Sequence, residues 1–303
     1  MQKILKWVGI VLGVLVGLVV IAAIGIYFAS ESKLNATYNA PTPNIAIPTD
    51  AAAIERGKHL ATVISVCVDC HGENFGGTVF IDDPALGRII APNLTKGQNG
   101  FGNELSDADI ARVLRYGVLP DGKSVRIMPA DDYQHLSDSD LAVIIAYVRS
   151  LPPVDGNFPP SELKPLGRIL LATGQLPIMI AERIDPQAVN PPAGPPIGVT
   201  VEYGEYLGNV AGCTGCHGPG LSGGPILGAP PDFPPAANIT TAGAIKGWTE
   251  ADFISAIRTG VDKTGHQIVD EMPWERYAGM TDDELKALWL FLQSAPPKEY
   301  GNR

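Results

Sequence analysis

The region from residue 51 to residue 297 contains one sequence pattern written twice. Each copy runs from a glycine-containing helical segment through Cys-x-x-Cys-His, a loop with an Asn-x-Thr string, a helix, a Met-Pro pair and a last helix. The matching segments are 56–60 and 203–207, 67–71 and 213–217, 93–95 and 238–240, 106–109 and 249–252, 128–129 and 272–273, and 137–140 and 281–284. This repeat predicts two domains of one fold, which we name lobe one (51–155) and lobe two (199–297).

Four predicted helices begin in the same way. Ser106, Ser137, Thr249 and Thr281 each stand three positions before an acidic residue. The hydroxyl can accept a hydrogen bond from the first turn, and the acid lies at the positive end of the helix dipole. No period-two strand pattern is evident in either copy. We therefore predict an all-α chain whose helices are joined by long loops.

The two Cys-x-x-Cys-His motifs indicate covalent haem. They comprise Cys67, Cys70 and His71, and Cys213, Cys216 and His217. Two thiols one helical turn apart can bond the two haem vinyl groups, which places the following imidazole beneath the iron. A zinc site would need cysteine pairs from separate repeats to meet, and a thioredoxin-like dithiol would need a βαβ context that is missing. We predict two haems c.

A methionine is predicted as the second axial ligand in each lobe. Met128 and Met272 follow Cys70 and Cys216 by 58 and 56 residues, and each precedes a proline that stiffens its loop. Met280 has no counterpart in lobe one. The alternatives for bis-histidine ligation are the unmatched histidines His59, His135 and His266. Ligation by histidine and methionine raises the reduction potential and fills both axial positions, which favours electron transfer over bond chemistry.

The N-terminus reads as a membrane anchor (1–30). Trp7 to Phe28 contains no charged residue, and its 22 residues would reach ~33 Å as a helix, enough to cross a bilayer. Lys3 and Lys6 predict a cytoplasmic N-terminus and haem domains outside a bacterial cytoplasmic membrane, on the periplasmic side. A cleaved signal peptide is the alternative, although its apolar region is usually shorter. The proline-containing stretch 31–50 reads as an extended tether.

The charge balance argues against nucleic acid as a partner. The formal net charge is −10, and no basic face is evident. Lobe one carries 9 basic and 14 acidic residues, and lobe two carries 5 and 12. Acidic lobes suit redox partners with basic docking faces, but an acidic surface that only keeps the protein soluble is an equal alternative.

With these motifs, residues 51–297 resemble the class I cytochrome c family. More narrowly they are similar to cytochrome subunits of membrane-bound alcohol, aldehyde and gluconate dehydrogenases. The similarity is carried by 91–95, 105–109, 115–122, 128–129, 133–138 and 147–153, and in lobe two by 237–240, 248–253 and 278–284. The chain departs from those subunits in having two haem motifs where they usually have three, and in its N-terminal anchor.

The resemblance implies the four-helix cytochrome c fold. Gly57 and Gly204 would lie where the first and last helices of each lobe cross, near Tyr147 and Phe291. Asn93 and Asn238 would lie near haem propionates, although each also heads an Asn-x-Thr glycosylation string. Arg115 and Arg258 would either neutralise propionates or form surface salt bridges.

The connector 156–198 is too apolar over 165–184 for a free linker. We expect a helical segment packed against the lobes, with contact to the membrane surface as the alternative; residues 298–303 form a tail. The resulting hypothesis is a membrane-tethered cytochrome. It would exchange electrons with a quinol-oxidising membrane complex, a dehydrogenase or a terminal oxidase. The alternatives are a di-haem peroxidase or oxidase, and a subunit whose haems only stabilise a complex.

Overall fold

The computed structural model describes residues 2–189, 193–230 and 232–302; the predicted anchor, connector, lobe two and tail extend beyond these at 1, 190–192, 231 and 303. The helices are α1 (Gln2–Leu34), α2 (Ala51–His59), α3 (Cys67–His71), α4 (Asp107–Tyr116), α5 (Ala130–Tyr133), α6 (Asp138–Ser150), α7 (Pro165–Ala172), α8 (Val201–Val210), α9 (Cys213–His217), α10 (Glu250–Thr259), α11 (Trp274–Tyr277) and α12 (Asp282–Ser294). The strands are β1 (Thr78–Asp83), β2 (Gly87–Ala91) and β3 (Glu162–Leu163).

Helix α1 is long and apolar enough to cross a membrane, with a mean hydropathy of 2.9 in its most apolar window. An N-terminal signal sequence can have the same length and apolar composition. Within the described residues, its C-terminal end contacts the connector. Arg168 Nη1 lies 2.8 Å from Glu31 Oε1, and Lys33 Nζ lies 3.3 Å from Glu182 Oε2.

The first and last helices of each lobe cross at a glycine. A Cβ atom added to Gly57 in α2 would lie 1.8 Å from Val143 O of α6, and one added to Gly204 in α8 would lie 1.9 Å from Ala287 O of α12. Tyr147 Cβ would lie 2.9 Å from the Cβ atom added to Gly57. Only glycine permits backbones this close. The crossing implied by the resemblance is confirmed.

The four predicted helix starts are also present. The side chains of Ser106, Ser137, Thr249 and Thr281 each accept a hydrogen bond from the backbone N–H three residues on. In α4, α10 and α12 the acid at that third position bonds back to the cap residue, completing a capping box. These local bonds stabilise the helix starts.

The expectation of an all-α chain is met only in part. Strands β1 and β2 form an antiparallel hairpin with Thr78 opposite Ala91, and β3 of the connector pairs with β2. The alternation of buried and half-buried residues in β2 is too short to stand out in the sequence, and a register shift interrupts the hairpin. In the described part of lobe two, the matching segment has an isolated bridge between Gly224 and Ala236.

The connector packs as a helical segment against lobe one and α1. Gly167 of α7 approaches Leu86 O so closely that a Cβ atom would lie 2.1 Å from it. Further along, Ile180, Ala181 and Ile184 share a small buried cluster with Tyr116 of α4. The connector therefore extends the core of lobe one.

Equivalent residues of the two lobes exchange partners at their interface. His59 Nε2 lies 2.9 Å from Glu284 Oε2, and the Tyr206 hydroxyl donates to Asp140 Oδ2 over 2.7 Å. In the repeat, His59 matches Tyr206 and Asp140 matches Glu284. The two contacts are thus related by an approximate twofold axis, and buried residues of both lobes form one continuous core.

Candidate haem sites

Each Cys-x-x-Cys-His motif forms a single helical turn that follows a residue with a positive φ angle. Val66 (φ 42°) precedes α3, and Gly212 (φ 72°) precedes α9. The turn brings Cys67 and Cys70 to the wall of one cavity, and Cys213 and Cys216 to the wall of another. The two cysteine pairs thus belong to separate sites, which does not suit a shared zinc ion.

The motif histidines are held in the same way in both lobes. His71 Nδ1 lies 2.8 Å from Pro92 O, and His217 Nδ1 lies 2.7 Å from Ala237 O. A carbonyl oxygen can only accept, so Nδ1 carries the proton and Nε2 carries the lone pair that a metal requires. Burial lowers the pKa of His71, which favours its neutral, ligating form.

The lobe-one cavity has a volume of about 530 Å³. Cys67, Cys70, His71 and Met128 all line it, together with apolar side chains such as Phe75. It therefore collects the two predicted attachment thiols, the predicted proximal imidazole and the predicted methionine around one space.

The lobe-two cavity, of about 330 Å³, repeats this set with Cys213, Cys216, His217 and Met272. Met280 also contributes to its lining. That residue occupies the repeat position of Leu136, which is a buried core residue in lobe one. The repeat thus distinguishes Met272, which has a methionine counterpart, from Met280, which has an apolar one.

The other histidines lie elsewhere. His59 is engaged with Glu284 at the lobe interface. His135 and His59 do not line either described cavity, whereas His266 lies exposed in the lining of the lobe-two cavity. In lobe one, therefore, His71 is the histidine in the described cavity lining.

The residues present fit haem c. Burial raises the pKa of the half-buried Cys67 and Cys213 thiols to about 12, because the surrounding apolar atoms disfavour a charged thiolate. Cavities of this size are typical of sites for organic ligands. The two thiols could attach the vinyl groups of a haem c, and the imidazole Nε2 and the methionine sulfur could serve as its two axial ligands.

In the structure, the side chains of Asn93 and Asn238 form hydrogen bonds that hold neighbouring loop segments together. Asn93 Nδ2 donates to Val154 O over 2.6 Å, and its Oδ1 accepts from the backbone and hydroxyl of Thr95. Asn238 makes the matching bonds to Lys298 O and Thr240. Asn93 lines the lobe-one cavity, yet most of its hydrogen-bonding capacity is used by protein. Both side chains are buried, which does not suit glycosylation.

Arg115 and Arg258 brace helices and are absent from the described cavity linings. Arg115 Nη1 donates to Asp138 Oδ1 over 2.7 Å, and Arg258 Nη2 donates to Asp282 Oδ1 over the same distance. Each also donates to a backbone carbonyl, that of Leu136 or Ala278. In the structure, therefore, both arginines form salt bridges, and Arg115 is buried.

Sequence reasoning overlooked Arg126, which lines the lobe-one cavity two residues before Met128. Burial, and to a lesser degree Arg168, lowers the pKa of Arg126. The matching position in lobe two holds Asp270. The position of Arg126 beside the Met-Pro pair was the signal that could have revealed it. Because lobe two has no arginine at the matching position, comparison of the two copies did not identify it.

Two tyrosines were also overlooked. The Tyr133 hydroxyl donates to Ser65 O over 2.7 Å, and the Tyr277 hydroxyl donates to Ala211 O over 2.6 Å. Each bond fixes the peptide two residues before the first motif cysteine. Their matching positions, five residues after Met128 and Met272, could have revealed them.

Several known proteins have sequences similar to that of this chain. The chain is 26% identical to the cytochrome c subunit of a quinone alcohol dehydrogenase from Gluconacetobacter polyoxogenes, over 89% of this chain and 60% of that subunit. It is 28% identical to the fructose dehydrogenase cytochrome subunit of Gluconobacter japonicus, over 83% and 55%. A gluconate 2-dehydrogenase cytochrome c subunit from Pantoea cypripedii is 33% identical over 34% of this chain and 25% of that subunit.

The chain thus spans about 60% of the length of the first of these relatives. The family model described as Cytochrome c matches residues 54–152 and 201–296. Each matched range contains one Cys-x-x-Cys-His motif and most of the lining of one of the two cavities described above. This chain belongs to the cytochrome c family, whose members carry covalently bound haem.

Proposed function

We propose that this chain is a membrane-anchored electron carrier with two haems c, ligated by His71 and Met128 in lobe one and by His217 and Met272 in lobe two. One observation carries the proposal. Each cavity joins an imidazole, whose Nδ1 is bonded to a backbone carbonyl, with a methionine from the same position of the repeat. Haem c supplies a one-electron iron couple when bound.

Backbone carbonyls would orient the ligands of this couple, and apolar side chains would surround it. The carbonyls of Pro92 and Ala237 fix the tautomer and orientation of the ligating imidazoles, as outer-shell partners of metal ligands commonly do. With methionine sulfur in the sixth position, no coordination position remains for peroxide or oxygen. The apolar side chains that line both cavities would limit the access of water to a bound haem. Electron transfer therefore suits this arrangement better than bond chemistry.

Spectroscopy of the full chain in detergent tests the ligand assignment. We expect two haems per chain, an oxidised spectrum with a weak methionine-to-iron band near the red edge that persists in peroxide, and only low-spin signals in electron paramagnetic resonance. A high-spin haem in either lobe would contradict the assignment and favour the peroxidase or oxidase alternative, since such an enzyme needs an open axial position.

The contacts of α1 support retention of the N-terminal helix as an uncleaved anchor. Besides the ion pairs of Glu31 and Lys33 with the connector, the guanidinium carbon of Arg168 lies 4.9 Å from the centre of the Tyr27 ring. A signal sequence is removed by cleavage, so contacts between its end and the folded protein would not persist in the mature chain. With Lys3 and Lys6 in the cytoplasm, both lobes would lie on the periplasmic side.

Truncation tests this topology. A chain that begins at Glu31 behind a cleavable export signal is expected to accumulate as a soluble periplasmic protein with two haems, because the apolar span of α1 is then missing. The full chain, expressed in parallel, should sediment with membranes and resist extraction by carbonate. A truncated protein that still sediments with membranes would show that another segment, such as the connector, provides the attachment.

A dehydrogenase is the partner that the relatives favour. Three of them are named as cytochrome subunits of alcohol, fructose and gluconate dehydrogenases. By analogy, this chain would accept electrons from such an enzyme, or from a quinol-oxidising membrane complex, and pass them to an acceptor such as a terminal oxidase. The excess of acidic residues in both lobes suits docking to basic faces. Co-purification from native membranes, followed by identification of the bound subunits, tests this partner class.

A further inference from the structure

A side chain of lobe two reaches the haem-attachment helix of lobe one. Arg276 of α11 donates from Nε to Asp69 Oδ1 over 2.7 Å, and from Nη2 to Glu73 Oε1 over 2.6 Å. Asp69 lies between Cys67 and Cys70. A positive charge from one lobe therefore stands against the motif of the other.

The reverse contact also exists, with the opposite charge. Asp132 of α5, in lobe one, lies against the attachment helix of lobe two. A Cβ atom added to Gly212 or Gly215 would lie 3.0 or 3.2 Å from Asp132 Oδ2. Gly215 lies between Cys213 and Cys216. Asp132 is half-buried. Burial, followed by the neighbouring Asp131, raises the pKa of Asp132 to about 7, because the surrounding protein weakens the solvation of its charged form.

The repeat makes these two contacts equivalent. Asp132 and Arg276 each follow their axial methionine by four residues, and Asp69 and Gly215 occupy the same place in their motifs. The approximate twofold axis thus relates one contact to the other. At the two matching positions the sequence has an acid, Asp132, in lobe one and a base, Arg276, in lobe two. The two contacts are therefore similar in geometry but opposite in charge.

Each charged residue stands beside the tyrosine that holds the motif peptide of its own lobe. Tyr133 follows Asp132, and Tyr277 follows Arg276. Burial raises the pKa of Tyr277 well above its ordinary value, and Cys213, Cys216 and Asp132 raise it further. The carboxyl group of lobe one is therefore electrostatically close to the attachment site of lobe two.

We propose that Asp132 and Arg276 act across the lobe interface, each setting the reduction potential of the haem in the opposite lobe. The proposal rests on the proposed di-haem function. A negative charge near an iron stabilises its oxidised state, and a positive charge stabilises its reduced state. Asp132 thus lowers the potential of the lobe-two haem, and Arg276 raises that of the lobe-one haem. The two lobes form one redox unit in which neither potential is a property of its own domain alone.

Redox titration of the full chain at about pH 9, where a carboxyl group with a pKa of about 7 is ionised, tests this, after Met128→Ala and Met272→Ala have assigned each midpoint potential to a lobe. Asp132→Asn should favour reduction of the lobe-two haem by about tenfold, ~59 mV for one electron, and change the lobe-one midpoint less. Arg276→Gln should lower the lobe-one midpoint in the same manner. Arg276→Lys, which keeps the charge, should restore most of it.

Asp121→Asn and Lys286→Gln are the matched controls, because they remove the same charges from the same lobes. Asp121 is exposed and lies near Lys123 of lobe one, and Lys286 lies near Asp283 on α12. Neither control should reproduce the cross-lobe shift. The proposal is overturned if Asp132→Asn shifts the lobe-one midpoint as much as the lobe-two midpoint, or if neither variant shifts the opposite haem. A deficit of haem or a high-spin spectrum in the parent protein would instead count against the proposed function.

Discussion

Replacing Met128 with alanine is expected to lower the reduction potential of the lobe-one haem by on the order of 100 mV, because axial ligands set haem potentials over a range of ~0.8 V. The vacated position should also accept carbon monoxide or cyanide. The lobe-two haem should keep its potential, since Met272 lines a separate cavity. Met272→Ala should give the mirror-image result. Potentiometric titration and ligand-binding spectra measure both effects.

Met280 provides the control for cavity shape. It lines the same cavity as Met272, and leucine occupies its matching position in lobe one. Met280→Leu should therefore leave the lobe-two potential and its red-edge band in place. If Met280→Leu abolished that band while Met272→Ala preserved it, the assignment of the sulfur ligand would have to be exchanged. Unchanged potentials in both Met→Ala variants would exclude methionine as the second ligand in either lobe.

The helices and the cavity-lining donors could be predicted because their signals are local. A Ser or Thr cap with an acid three residues on marks a helix start, and the bonds observed at Ser106 and Thr249 are those expected from it. The repeat added the comparison that separated Met128 and Met272 from the remaining methionines. Both indications depend on residues close together in sequence, or on matched positions in the two copies.

Other features depend on contacts that sequence spacing does not encode. Strand β2 is paired with both β1 and β3 of the connector, so its backbone bonding is partly long-range. Val66 adopts a left-handed conformation (φ 42°) where lobe two has Gly212, and a β-branched residue gives no hint of such an angle. At the end of α4, Arg115 could equally have faced a propionate or Asp138, and only the packing of α6 decides between them.

The lobe interface is the largest feature without a sequence signal. His59 and Tyr206 differ chemically although they match in the repeat, and each bonds an acid of the opposite lobe. In the sequence, such differences between the two copies look only like divergence of the repeat. In the folded chain they are the contacts by which two similar domains recognise each other, and the cross-lobe placement of Asp132 and Arg276 follows from that docking.

Gly204→Ala is expected to destabilise lobe two by about 2–3 kcal/mol, since overpacking typically costs this much and the clash here is with backbone. The new methyl carbon would lie 1.9 Å from Ala287 O and 2.9 Å from Phe291 Cβ. Helices α8 and α12 would have to separate. The gain in helix propensity, at most ~1 kcal/mol, offsets only part of this cost. Urea unfolding followed by tryptophan fluorescence reports mainly on lobe two, because three of the four tryptophans (Trp248, Trp274 and Trp289) belong to it and the fourth, Trp7, lies in α1.

Gly208→Ala is the matched control in the same helix. Its methyl group would meet side chains and no backbone atom of α12, at 3.0 Å from Phe291 Cε1 and 3.7 Å from Leu288 Cδ2, and the Phe291 ring can rotate away. The variant gains the same helix propensity without a backbone clash, so its urea midpoint should stay near that of the parent or rise. Equal midpoints for Gly204→Ala and Gly208→Ala would mean that α8 and α12 do not cross at Gly204 as closely as the structure has them. A selective loss in Gly204→Ala would instead show that the glycine is required by the backbone contact, and the same test applies to Gly57 in lobe one.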